Sequence, residues 1–176
     1  MADQIRCSDP THLVGAPEIG SYGLVVVAGA DPAQRAATLH RLLSTLAGRF
    51  HGLLLDPQGA LAELPGHWIH VTQPDLTRLQ GIRAALRQDP DVVAVDQVSS
   101  KEEAEVAVQA ALTGHLVLFG VDAPTPQAAA EQLGQWVERF LVDSTQPRYV
   151  AACSDARFEA GPARQAPPRP EPTLEE

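Results

Sequence analysis

Short apolar, β-branched runs alternate along this chain with longer segments in which apolar residues return every three or four positions. The runs are Gly23–Gly29, Gly52–Leu55, Trp68–Val71, Val92–Val95, Leu116–Val121 and Tyr149–Ala152. Each is bounded by Gly, Pro or Asp, as buried strands are. Helical periodicity fills Pro32–Leu46, Leu76–Arg87, Lys101–Leu112 and Pro126–Phe140. Wholly apolar strands alternating with helices predict an α/β fold, a mainly parallel sheet covered on both faces. Residues 1–21 are polar and punctuated by Pro and Gly, which predicts an extended lead-in to a core domain over 22–158. The segment 159–176 is rich in Pro and Glu; the last 17 residues, AGPARQAPPRPEPTLEE, hold five prolines and no aromatic residue. Such a tail cannot bury enough surface to offset its ordering and is expected to be disordered.

Composition narrows the function classes. A chain of 176 residues with 44% hydrophobic content is long enough for one well-buried domain and short for two. Thirteen Lys+Arg against 22 Asp+Glu give a formal charge of -9, which repels nucleic acid and anionic lipid. Lys101 is the sole lysine, so chemistry that needs a lysine has one candidate. Cys7 and Cys153 form no CxxC pair, which fits a reducing, cytoplasmic setting. No stretch approaches the ~18 apolar residues of a membrane span, so no direct membrane insertion is expected.

The stretch VVVAGADPAQRAATLHRLLSTL, residues 25–46, reads as a strand, a glycine, a short loop and an amphipathic helix. A phosphate cradle is built in this way. Asp31-Pro32-Ala33-Gln34 is also an ordinary helix start, with an N-cap carboxylate, proline at the first position and glutamine placed to reach back. Arg35 then reads as a solvated arginine in the first turns of an Ala-rich helix. His67 and His70 fall on opposite faces of a strand with no third ligand in view, which argues against a metal site. In SSKEE, Ser100 reads as a helix cap with Glu103 in the third position. Asp89 and Asp91 flank Pro90 at a helix-to-strand turn, and His115 follows Gly114 as a positional residue of the next.

The stretch Leu86–Ala123, LRQDPDVVAVDQVSSKEEAEVAVQAALTGHLVLFGVDA, resembles the core of the type II secretion and type IV pilus ATPases, hexameric P-loop motors of the secretion ATPase superfamily. The matching residues are Leu86–Asp91, Glu102, Ala104, Ala107, Ala110 and Thr113-Gly114-His115-Leu116-Val117. The likeness runs upstream through Arg83-Ala84-Ala85, Leu54 and Asp56-Pro57 to Gly23–Leu39, and downstream through Arg139–Val142, covering about residues 22 to 153. It implies a RecA-like three-layer P-loop fold, here without the N-terminal domain of the motors.

Carried over position by position, the family's working residues are largely replaced. Gly29 matches the first glycine of the phosphate loop GxxxxGK[ST], but the second glycine is Gln34, the lysine Arg35 and the magnesium hydroxyl Ala36. Thr38, two residues on, should point elsewhere. The Gly-Glu pair that ends the Walker B strand is Asp96-Gln97, and an amide cannot act as a base. Ser99 and Ser100 stand for the following arginine and aspartate. The acidic Glu-Asp-Pro-x-Glu run is Leu55-Asp56-Pro57-Gln58-Gly59, and the histidine box is Gly120-Val121-Asp122-Ala123. Asp31 as cap would take the amides and the charge complement that a phosphate needs, and Pro32 removes another donor.

Two readings follow. In the first the chain is a pseudo-ATPase without cofactor or catalytic residue, an interaction or regulatory module. Its partner is a protein, a secretion or pilus motor ATPase or a platform protein, through which it sits peripherally at the inner membrane; oligomerisation is compatible with this. In the second it binds ATP with magnesium, or hydrolyses it slowly, through a rearranged loop at Gly29, Gln34, Arg35, Ala36 and Thr38.

Overall fold

The computed structural model describes residues 4–5, 21–59, 61, 64 and 66–152. The strands are β1 (Gln4–Ile5), β2 (Gly23–Ala28), β3 (Gly52–Leu55), β4 (Trp68–Val71), β5 (Val92–Val95), β6 (Leu116–Val121) and β7 (Arg148–Ala151). The helices are α1 (Pro32–Leu46), α2 (Arg78–Leu86), α3 (Lys101–Leu112), α4 (Pro126–Trp136) and α5 (Arg139–Ser144). The strands form one parallel sheet in the order β1-β7-β2-β6-β5-β3-β4.

Side-chain alternation along the strands builds two cores. Val25 and Val27 of β2, Leu54 of β3, Ala94 of β5 and Leu118 of β6 pack with Leu39, Leu42, Leu43 and Leu46 of α1. Their neighbours Leu24, Val26, Leu55, Val93, Val95 and Phe119 face the other way, onto Ile82 of α2, Ala104, Ala107 and Val108 of α3 and Leu133 of α4. Every residue of β2, β3, β5 and β6 is buried, because helices cover both faces.

The differences from the sequence reading lie at element ends. The fourth helix pattern, read as Pro126–Phe140, is two helices. Val137 is extended (φ −128, ψ 144) and only 6% exposed. Burying this β-branched side chain in the core costs the helix its continuity, and α5 restarts at Arg139. The helix read as Leu76–Arg87 begins at Arg78, because Thr77 caps it: Thr77 Oγ1 accepts from the Gln80 amide at 3.2 Å, and Gln80 Oε1 accepts from the Thr77 amide at 3.3 Å. Within the expected lead-in, Gln4–Ile5 adds a parallel strand beside β7. The rest of 1–20 and the segment 159–176 lie outside the described residues.

Tyr149 of β7 is 3% exposed, and burial, with Asp143 nearby, pushes its phenol up to about 12 from 10.0. The folded state thus keeps a proton that the unfolded chain releases near its ordinary value. This contribution is complete below pH 10 and is lost as pH rises through about 12. Urea midpoints measured up this alkaline range should fall for the natural chain, and Tyr149→Phe should remove part of that fall.

Candidate functional site

Adjacent strands β2 and β6 send their following helices to opposite faces of the sheet, α1 to one and α4 to the other. Where that happens in an open parallel sheet, a crevice opens at the carboxyl ends of the strands, and ligands bind there. The register brings Ala28 beside Val121 and Val95 beside Phe119, so Gly29, Asp96, Gln97 and Asp122 meet at this crevice. The α1 N-terminus points into the same place.

Arg35 occupies it. The residue is only 4% exposed, so the expectation of a solvated arginine is corrected. Its Nη1 donates to the Gly29 carbonyl at 2.5 Å, and its Nη2 donates to Gln97 Oε1 at 3.0 Å. Nη1 also lies 3.8 Å from Asp122 Oδ1. One guanidinium thus ties together the chain just beyond β2, β5 and β6. That Asp122 carboxylate is 65% exposed and screened, worth at most about 1 kcal/mol. The bonds to the carbonyl and the amide carry the binding, at roughly 1.5–3 kcal/mol each for a charged donor. Two glycines flank the Arg35 stem, and each is required mainly by another close approach, Gly29 to Ala152 Cβ and Gly120 to the Asp96 carbonyl oxygen. A Cβ on Gly29 would stand 3.3 Å from Arg35 Cγ, and one on Gly120 would stand 3.6 Å from Arg35 Cδ.

A second arginine holds the preceding residue of the same loop. Arg78 Nε donates to Asp96 Oδ1 at 2.7 Å and Nη2 donates to Oδ2 at 2.6 Å, a two-pronged fork from the start of α2. The hydrogen bond to Asp96 raises the Arg78 pKa, against the opposing pull of burial. An aspartate directly after an apolar strand is where P-loop enzymes hold magnesium, a feature of VVAVD that the sequence reading passed over. Here Arg78 engages both oxygens. Beyond β3, Asp56 is fully buried; its Oδ2 accepts from the Leu61 amide at 2.7 Å and lies 3.3 Å from His70 Nε2. That carboxylate also lay unused in the reading of His70, because residues 56 and 70 meet only once β3 and β4 pair.

The remaining candidates sit around this centre. Asp31 caps α1 by accepting one bond, from the Ala33 amide at 2.9 Å. The return bond expected from Gln34 is not formed among the described residues. Pro32 is exposed at the helix start, Ala36 packs against the α1 core, and Thr38 is fully buried on the same helix. Glu103 reaches Ser99 rather than Ser100: its Oε2 accepts from the Ser99 amide at 2.8 Å, while Ser100 Oγ accepts from the Glu103 amide at 3.2 Å. Replacing the cap, Asp31→Ala, should lower stability by about 1 kcal/mol. A carboxylate standing idle in an open loop would instead give an unchanged or raised melting temperature.

A parallel sheet with helices on both faces and a strand-loop-helix at its switch point defines a RecA-like fold of the P-loop class. The Legionella pneumophila ATPase DotB has this fold, with a TM-score of 0.62 at 19% identity over 72% of this chain and 39% of that one. So does the pilus retraction motor PilT with bound ADP, with a TM-score of 0.57 at 23% identity, over 73% of this chain and 42% of that one. The family model for type II/IV secretion system proteins matches residues 21–142, and the chain belongs to this family. It is 38% identical over 127 residues to type II secretion system protein E of Pseudomonas aeruginosa, covering 70% of this chain and 25% of that protein. Against type II secretion system protein E of Klebsiella pneumoniae it is 38% identical over 129 residues, 70% of this chain and 26% of that protein. The chain therefore spans about a quarter of the length of these relatives. Among the described residues no helix is long and apolar enough to cross a membrane.

Proposed function

We propose that this chain is a non-catalytic relative of the secretion and pilus motor core that works as an interaction or regulatory module. The observation that carries this reading is the position of Arg35. Its guanidinium fills the crevice in which a nucleotide's phosphates would lie, bonded to Gly29 and Gln97 and walled by Gly29 and Gly120. The other losses point the same way: Gln97 offers an amide and no base, Ala36 offers no hydroxyl to a metal, and Asp96 is engaged by Arg78. No cofactor is required. The partner is a protein of the secretion or pilus machinery, a motor ATPase or a platform protein, met in the cytoplasm at the inner membrane. The charge of -9 disfavours nucleic acid.

A second reading, ATP binding or slow hydrolysis with magnesium, is favoured by one observation: a cation stands in the loop where the family keeps its lysine. For it to hold, Arg35 must leave Gln97 and turn toward the β- and γ-phosphates. Isothermal titration with ATP and ADP, with and without magnesium, separates the two. The first reading expects no saturable heat. A micromolar affinity that disappears in Arg35→Ala would establish the second.

A further inference from the structure

The opposite end of the sheet carries a second cleft, of about 200 Å³, lined by Ser21, Asp89, Pro90, Asp91, Thr113 and the Gly114-His115 turn. Three segments are bonded side by side to form it. The Gly23 amide donates to the His115 carbonyl at 3.1 Å, and the Leu116 amide donates to the Asp91 carbonyl at 3.0 Å. This end holds the amino termini of the strands, so the cleft is separate from the crevice filled by Arg35.

Its formal charge is one-sided, and most of its backbone donors are already engaged. The amides of Asp89, Asp91, Thr113, Gly114 and His115 all donate to carbonyls of the fold, and Pro90 has none. The Thr113 hydroxyl donates to the Ala110 carbonyl at 2.9 Å, and His115 Nδ1 lies 3.1 Å from the same carbonyl and 3.3 Å from Thr113 Oγ1. What remains toward the cleft is the Asp89 carboxylate, which has no partner among the described residues, and Asp91 Oδ1, whose fellow oxygen holds the His51 amide at 2.8 Å. The lone pairs of the Thr113 hydroxyl add to these. The lining includes neither Lys nor Arg, and its charged groups are the carboxylates of Asp89 and Asp91. Each flank carries exposed apolar surface: Tyr22, beside Ser21, is 51% exposed, and Leu112, beside Thr113, is 40% exposed.

We infer that this cleft is a docking site for an arginine of a protein partner, presented between apolar side chains. A guanidinium brings five donors and no acceptor, the complement of such a lining, and its plane can lie against Tyr22 while neighbouring apolar residues cover Leu112. This rests on the reading of the chain as an interaction module and gives that module a surface.

The test is an amide NMR titration of the full chain with N-acetyl-Leu-Arg-Leu-amide, beside the same peptide carrying Gln or Glu in place of Arg. The arginine peptide should give saturable shifts centred on residues 21–23, 89–92 and 113–116, and the other two should not. Asp89→Asn should weaken binding about fivefold. Asn tolerates the left-handed backbone that Asp89 adopts (φ 50), so the fold is kept. Leu112→Ala should weaken it too. Equal shifts from the glutamate peptide, shifts scattered over the acidic surface, or indifference to both substitutions would overturn the proposal. Adding ATP and magnesium to the same sample probes the nucleotide reading alone, through residues 29–36.

Discussion

Arg35→Ala should lower the thermal midpoint by about 7 °C, the consequence of losing roughly 2–3 kcal/mol in a domain of this size. The expectation has opposing parts. Alanine has better helix propensity, and removing the guanidinium relieves the cost of keeping it away from water, so a dispensable arginine would give an unchanged or higher midpoint. Against this stand two charge-assisted hydrogen bonds and the atoms they leave behind. Gln97 Oε1 and the Gly29 carbonyl lose their donor, and a gap opens where the side chain lay between the backbones of residues 29 and 120. The losses outweigh the gains because the bonds join strand ends that are far apart in the chain, Gln97 lying 62 residues from Arg35. Arg35→Met separates the parts further: it fills much of the volume without the bonds and should fall between Ala and the natural residue. Calorimetry of the three proteins reads the order directly, and a midpoint for Ala at or above the natural one would remove the basis for calling the crevice filled.

Gly120→Ala should be at least as damaging, by about 2–4 kcal/mol. A Cβ at this position would stand 2.5 Å from the Asp96 carbonyl oxygen, a backbone atom in the loop that Arg35 and Arg78 both hold. A flexible side chain could swing aside, but this carbonyl follows β5, and moving it strains the β5–β6 pairing or loosens Gln97 from Arg35. Equilibrium unfolding in urea should show a lower midpoint, with faster hydrogen exchange concentrated at residues 96–99 and 29–35. If Gly120→Ala matched the natural protein in stability, the close approach of these two segments would be in doubt, and with it the account of how Arg35 is accommodated. The two substitutions share the Asp96–Gln97 loop, so their effects should combine to less than the sum.

The inward position of Arg35 carries a signal in the sequence. The buried positions of α1 are Arg35, Thr38, Leu39, Leu42, Leu43 and Leu46, a single stripe of spacing three and four. Continued backward from the leucines, the stripe places residue 35 on the inward face. Arginine's usual exposure outweighed that geometry in the sequence reading. The Asp96–Arg78 fork had no comparable signal, since α2 and β5 are brought together only by folding.

Local and periodic forces were legible in the residues themselves: the apolar runs of the strands, the helix stripes, the caps at Asp31 and Ser100, and the family likeness that spans the core. These depend on neighbours within a few positions, so one chain suffices to read them. What fills the crevice was decided by tertiary structure alone. The positions of Gly29, Arg35, Gln97 and Gly120 mean little separately, and they meet because parallel pairing carries the ends of β2, β5 and β6 to one edge of the sheet. The partners of a buried charge are set by that convergence, which no local pattern along the chain records.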